Sequence, residues 1–293
     1  MRIKALLSAL LLSGTFSAPA QVVTLPLWPN GMPEAWAPGA ETETMKPADK
    51  LVGGKSVSKI TNIEKSTLAL YQPEKKTGAA VVVFPGGGYR ILAYDLEGTE
   101  VCQWLNAAGV ACVLVKYRVP VKEHYPASTI DLEDAQKAVR MTRMHAKEWG
   151  IDPSRVGVLG FSAGGHLVAA LSNHSDFKRQ NEPAEETAVS AKPDFTVMIY
   201  PAYLTDETLK VIDEGVKPTS ATPPTFLLQA EDDPVHEENV LVYFQALKEA
   251  KVKAELHVYA EGGHGYGSRA DKLPIVKWPA LVTTWMQTIG VLR

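Results

Sequence analysis

The sequence predicts an α/β domain, a mostly parallel central sheet with helices on both faces. Three observations carry this. Short apolar runs bounded by turn residues recur along the chain, the clearest being Ala79-Ala80-Val81-Val82-Val83-Phe84, and such a run suits a strand buried on both faces. Between the runs lie longer segments with apolar residues at helical spacing, closed by a glycine just past the end. The two kinds alternate, and strand–helix alternation builds parallel sheet through crossover connections.

The elements follow in order. Arg2 and Lys4, the apolar stretch Ala5 to Leu12, and Ala18-Pro19-Ala20 succeed one another as in an export leader, with cleavage expected after Ala20. Residues 21–293 then form one catalytic domain. Leu25-Pro26-Leu27-Trp28-Pro29-Asn30-Gly31 reads as an irregular lead-in, and residues 31–54 show no sustained periodicity. Val57 to Ile63 and Thr67 to Tyr71 roughly alternate, as antiparallel edge strands do. After the strand ending at Phe84 come a helix from Gly98 to Ala108, a strand from Val110 to Lys116, and a long amphipathic helix from Ile130 to Trp149. That helix turns Leu132, Ala135, Val139 and Met144 to one side. Arg155 to Leu159 is a strand and Ala163 to Leu171 a helix. Phe195 to Tyr200, Phe226 to Gln229 and Ala254 to Val258 are strands. Glu237 to Ala250 and Trp278 to Ile289 are helices. Residues 174–193, polar and charged, and 202–222 break the rhythm and read as surface excursions over one edge of the sheet. No repeat or low-complexity tract is present.

Composition narrows the function classes. The 293 residues are 45% hydrophobic and 22% charged, with a formal charge of −3. Loss of Arg2 and Lys4 with the leader takes this to −3 − 2 = −5. A nucleic-acid binder would carry a basic excess instead. No apolar run is long enough to span a membrane. Cys102 and Cys112 sit in a helix and the strand after it, whose backbones ordinarily lie too far apart for bridging. Two buried free thiols are therefore expected.

The chemistry is concentrated in three places. Gly160-Phe161-Ser162-Ala163-Gly164 follows a predicted strand and opens a helix, the context a nucleophile elbow requires. Side chains at 160 and 164 would clash with neighbouring backbone, and the sharp turn exposes the Ser162 hydroxyl above the sheet. A serine hydroxyl needs a base. His264 lies in Glu261-Gly262-Gly263-His264-Gly265, a flexible loop after the last strand. The strand Phe226 to Gln229 runs into Glu231-Asp232-Asp233-Pro234-Val235, where an acid belongs to orient the histidine. The third place is Phe84-Pro85-Gly86-Gly87-Gly88-Tyr89, whose backbone amides at Gly87 and Gly88, with that of Ala163, are the expected oxyanion donors. His166 is expected to support the elbow from beneath, His257 to pack within its strand and His236 to assist the acid turn. His124, His145 and His174 read as loop or helix-surface residues. This chemistry calls for no cofactor and no metal.

On these motifs the chain resembles bacterial α/β-hydrolase esterases of the acetylxylan esterase-like kind, related to the hormone-sensitive-lipase group. Matching stretches include Leu27-Trp28-Pro29-Asn30-Gly31, Lys116-Tyr117-Arg118-Val119-Pro120, Gly160 to Leu167, Asp232-Asp233-Pro234-Val235 and Gly263-His264-Gly265. The resemblance implies an α/β-hydrolase fold and cleavage of short acyl esters, often acetyl groups on plant polysaccharides, in a secreted or periplasmic protein. It also favours Asp233 over Asp232 as the triad acid, because Asp233 stands before Pro234 and Val235. Two positions depart from the pattern: Pro85 where the lipase group has histidine, and Leu96-Glu97-Gly98 where relatives often have His-Glu-Gly. An exopeptidase or amidase on the same triad remains the alternative. A lipase is disfavoured, since 174–193 is too polar for an apolar lid.

Overall fold

A computed structural model of the chain describes residues 22–33, 35–45, 51–178, 187–269 and 272–293. The expected leader, residues 1–20, lies outside the described residues. The strands are β1 (Val22–Pro26), β2 (Thr42–Met45), β3 (Ser58–Thr61), β4 (Thr67–Tyr71), β5 (Ala80–Phe84), β6 (Leu92–Ala93), β7 (Ala111–Lys116), β8 (Val156–Phe161), β9 (Thr196–Ile199), β10 (Thr225–Ala230) and β11 (Ala254–Tyr259). Eight of them form the central sheet in the order β1-β4-β7-β5-β8-β9-β10-β11. From β7 to β11 all neighbours are parallel, whereas β1 pairs antiparallel with β4, and β4 with β7.

The helices are α1 (Glu100–Ala107), α2 (Ile130–Met144), α3 (Ala146–Trp149), α4 (Ala163–Asn173), α5 (Glu238–Glu249) and α6 (Trp278–Thr288). β5 shows why both sheet faces need helices. Ala80, Val82 and Phe84 enter one core with α2, α4 and α5, while Val81 and Val83 enter the other with α1 and α6. Parallel strands stripped of water on both sides must be apolar throughout, and the buried run of β5 is the sequence signature of that position.

The structure departs from the sequence reading at several points. The lead-in is irregular only from Leu27 onward, because Leu25 and Pro26 belong to β1, which pairs with β4 and closes the sheet edge. Ser58–Thr61 joins a separate three-stranded sheet, β2-β3-β6, and only Thr67–Tyr71 enters the main one. The helix expected from Gly98 begins with a π-helical turn, Asp95–Thr99. The long helix breaks at His145, and Met144 is exposed instead of facing the core.

The two cysteines are the clearest correction. Cys102 and Cys112 form a disulfide, with Cα atoms 5.2 Å apart, inside the range a bridge allows. The expectation of free thiols assumed ordinary helix-to-sheet spacing. A β-carbon at Gly98 would press into the Leu114 side chain, so glycine there lets this helix start directly on β7. Cys102 in α1 is thereby brought to Cys112.

Candidate active site

The parallel strands end at one sheet edge, where open α/β sheets bind their ligands. β8 ends at Phe161 and α4 begins at Ala163, leaving Ser162 alone in the turn with φ 50° and ψ −119°. A non-glycine residue held there is strained and persists only where its surroundings fix it. A β-carbon on Gly160 would strike the Gly164 carbonyl, and one on Gly164 would strike the Phe84 carbonyl. Both glycines are therefore required, as the motif implied.

The loop after β11 carries His264 between Gly263 and Gly265, both in left-handed backbone. Its Nε2 lies 2.9 Å from Ser162 Oγ and its Nδ1 2.8 Å from Asp233 Oδ2. Asp233 is fully buried at its side chain while His264 keeps 22% exposure, so the imidazole remains reachable from solvent. The second Asp233 oxygen accepts the Val235 amide at 2.7 Å. Asp232 turns the other way: its Oδ1 accepts the amides of Gly262 (2.9 Å) and Gly263 (2.7 Å). One aspartate thus contacts the imidazole, and the other shapes the loop that carries it.

The glycine loop after β5 is pinned beside Ser162. Tyr117 Oη donates to the Pro85 carbonyl at 2.7 Å. The Gly86 amide donates to Glu97 Oε2 at 2.6 Å. A β-carbon on Gly86 would come within 2.8 Å of Ser162 Cβ, so the loop lies against the elbow. Among the described residues, neither the Gly87 nor the Gly88 amide has a protein acceptor. The Ala163 amide opens α4, and first-turn amides lack intrahelical partners.

Sequence reasoning missed what joins these loops. Glu97 is buried, and besides Gly86 it accepts the Tyr200 hydroxyl through Oε1 at 2.8 Å. Tyr200 Oη in turn accepts the Gly267 amide at 3.1 Å, and its ring stands edge-on to His264. One carboxylate therefore ties the glycine loop to the histidine loop. Burial raises its pKa above the ordinary carboxylate range, while the hydrogen bonds from Tyr200 and Gly86 oppose that rise. The Leu96-Glu97-Gly98 triplet was visible in the sequence, but its role needs Tyr200, which lies 103 residues away.

The remaining histidines divide. His166 is buried in α4 below the elbow, with Nδ1 2.7 Å from Tyr89 Oη, and its pKa is driven down by burial. His124 lies in a loop, and its ring stacks on Tyr89 and Tyr203. His257 meets Glu255 and Phe226 on β11. His236 supports the acid turn through its backbone, whose carbonyl accepts from Gln229. His145 pairs with Glu148, and His174 packs on Tyr125. A cleft of about 390 Å³ opens over Ser162; the excursion after β9 gives it Ala202, Tyr203, Thr205, Asp206, Glu207 and Leu209, and the segment after β10 adds Val235 and Asn239. Of the other excursion, only 174–178 and 187–193 fall within the described residues.

Two family models match the chain: the alpha/beta hydrolase fold over residues 81–218 and the prolyl oligopeptidase family over residues 200–289. An acetylxylan esterase of Xylanibacter ruminicola is 32% identical over 228 residues, 69% of this chain and 44% of the relative. Endo-1,4-beta-xylanase B of Butyrivibrio fibrisolvens is 30% identical over 204 residues, 63% of this chain and 32% of the relative. The chain thus spans less than half the length of either. A crystal structure of an acetyl ester-xyloside bifunctional hydrolase from Caldicellulosiruptor lactoaceticus superposes with a TM-score of 0.73 at 30% identity, over 96% of this chain and 100% of that one.

Proposed function

Because the chain belongs to the α/β-hydrolase family, we propose that it is a serine carboxylester hydrolase that removes short acyl groups, acetyl above all, from a carbohydrate. The observation that carries the chemistry is the hydrogen-bonded series Asp233–His264–Ser162 beside the Gly87 and Gly88 amides, which donate to no protein acceptor among the described residues. In this reading His264 Nε2 takes the Ser162 proton as Oγ attacks the ester carbonyl. Asp233 holds the imidazole in the right tautomer and stabilises its cation. The amides of Gly87, Gly88 and Ala163 receive the oxyanion. His264 returns the proton to the leaving alcohol, and water then clears the acyl-enzyme by the same steps in reverse order.

The carbohydrate assignment draws support from the relatives, among them an acetylxylan esterase and an acetyl ester-xyloside hydrolase. The cleft is compatible with it, since Thr205, Asp206 and Glu207 stand beside Ala202, Leu209 and Val235 in its wall and offer partners to a hydroxyl-bearing alcohol. The prolyl oligopeptidase match spans the acid and the base, so an amidase is the second reading. A panel of esters of graded acyl length, run beside acetylated xylan and an aminoacyl anilide, separates them. Faster turnover of the anilide than of any ester would overturn the esterase reading.

Export completes the proposal, with the mature chain starting at Gln21 in the periplasm or beyond. The disulfide fits an oxidising compartment. No described helix is long and apolar enough to cross a membrane. N-terminal sequencing of protein exported from a bacterial host should read from Gln21, and an intact Met1 on exported, active protein would contradict cleavage.

A further inference from the structure

Tyr203 has no part in the triad, yet the fold goes to some length to present it. It lines the same cleft as Ser162 and is 44% exposed. Its backbone is left-handed, φ 59°, which a bulky residue adopts only where its surroundings hold it there. Core packing does not account for this, because the ring is not in the core.

The ring is braced from behind. It lies within 22° of parallel to His124, centroids 5.2 Å apart, and within 24° of Tyr89 at 6.3 Å. Tyr89 is itself buried and tied to His166 through its hydroxyl. Three rings of nearly common orientation therefore fix one flat face at the cleft. The hydroxyl end points to the glycine loop: a β-carbon on Gly88 would lie 3.9 Å from Tyr203 Oη. Asp206 and Glu207 stand on the same wall, and Asp206 Oδ1 and Oδ2 take only the local contacts of a turn, from Thr208 and Val211.

A rigid aromatic face with carboxylates along its rim has a recognisable complement. The negative face of the ring attracts polarised C–H bonds, which a pyranose presents on its flat side. The sugar hydroxyls project around the ring edge, where carboxylates accept them. We propose that Tyr203 is the stacking residue of a sugar subsite that holds the pyranose bearing the ester, with Asp206 and Glu207 taking its hydroxyls. This rests on the carbohydrate esterase reading and adds the residues that would make it selective.

The test compares two substrates in each protein: an acetylated xylo-oligosaccharide, and ethyl acetate, which has no ring to stack. The readout is the ratio of their kcat/KM values. In Tyr203→Ala this ratio falls about tenfold, the loss expected for one stacking contact, and in Tyr203→Phe it stays near the wild-type value. Unacetylated xylo-oligosaccharide inhibits wild-type hydrolysis of ethyl acetate, and it loses potency in Tyr203→Ala. Should Tyr203→Ala fail to fold, Tyr203→Asn removes the ring with a residue type that tolerates left-handed backbone. Equal losses on both substrates would mean a structural role only, and an unchanged ratio would mean no role; either overturns the subsite. Wild-type protein that shows no preference for the sugar ester would sink the carbohydrate reading itself. A wild-type preference that survives ring deletion sinks the subsite alone.

Discussion

Glu97→Gln isolates the tie between the two loops without changing side-chain size. The carboxylate accepts from Gly86 N at 2.6 Å and from Tyr200 Oη at 2.8 Å. A glutamine has one acceptor oxygen. If that oxygen keeps the Gly86 amide, the NH2 faces Tyr200, and the tyrosine hydroxyl proton is left without its acceptor inside the protein. Losing one charge-assisted hydrogen bond and stranding its donor costs about 2–3 kcal/mol. At about 2–4 °C per kcal/mol for a domain of this size, the melting temperature drops by roughly 4–12 °C. The protein stays folded, but the loop bearing Gly87 and Gly88 and the loop bearing His264 lose their common anchor. Misplacement of reacting groups by an ångström can cost a hundredfold, so kcat on ethyl acetate is expected to fall ~10–100-fold while KM changes little. The pH profile supplies a second readout. Burial raises the Glu97 pKa, so on acidification it takes a proton at a higher pH than a surface carboxylate does. The tie is intact above that raised pKa and is lost as pH falls through it. The wild-type acid limb contains this proton, and the Glu97→Gln profile lacks it. A folded Glu97→Gln enzyme with at least half the wild-type kcat and the same acid limb would refute the reasoning.

Four further outcomes rest on the structure. Asp233→Asn should lower kcat by ~10⁴, as replacing a triad aspartate does in a protease. Asp232→Asn keeps an oxygen for the Gly262 and Gly263 amides and should cost less than about tenfold; a larger loss at Asp232 would reverse the roles. Acetyl esters should exceed octanoyl esters in kcat/KM, since Asp206 and Glu207 interrupt the apolar surface that Ala202, Leu209 and Val235 give the cleft, and the opposite order in the graded panel would mean that an acyl tunnel has been overlooked. Replacing Cys102 and Cys112 together by alanine opens a loop of sequence separation 10. Loop closure of that length contributes about 2.5–3 kcal/mol, so calorimetry should show Tm lower by roughly 5–12 °C, and an unchanged Tm would mean the bridge does not stabilise the native state.

What could be read from the sequence was what depends on near neighbours. The elbow was legible because Gly160, Ser162 and Gly164 meet one another and the next strand within a few residues. β5 was legible because burial on both faces demands an unbroken apolar run. The resemblance to hydrolases that set the triad acid before a turn residue favoured Asp233, which precedes Pro234, over Asp232, and the structure turns Asp233 to His264. The misses are long-range. β1 is a strand only because β4 offers it an edge. The disulfide depends on how closely Gly98 lets a helix approach Leu114. Glu97 and Tyr203 acquire meaning only once Tyr200, His124 and Tyr89 are brought to them from distant parts of the chain. No local periodicity carries such information.

The central claim is that Ser162 is the nucleophile of this site, activated by His264. Labelling with a fluorophosphonate, followed by peptide mass spectrometry, tests it most directly. The account predicts one adduct per chain, on the Ser162 peptide, with esterase activity lost in proportion to labelling. Ser162→Ala should take up none and should lose hydrolysis by several orders of magnitude. An adduct on another residue, or full esterase activity in the Ser162→Ala protein, would contradict it.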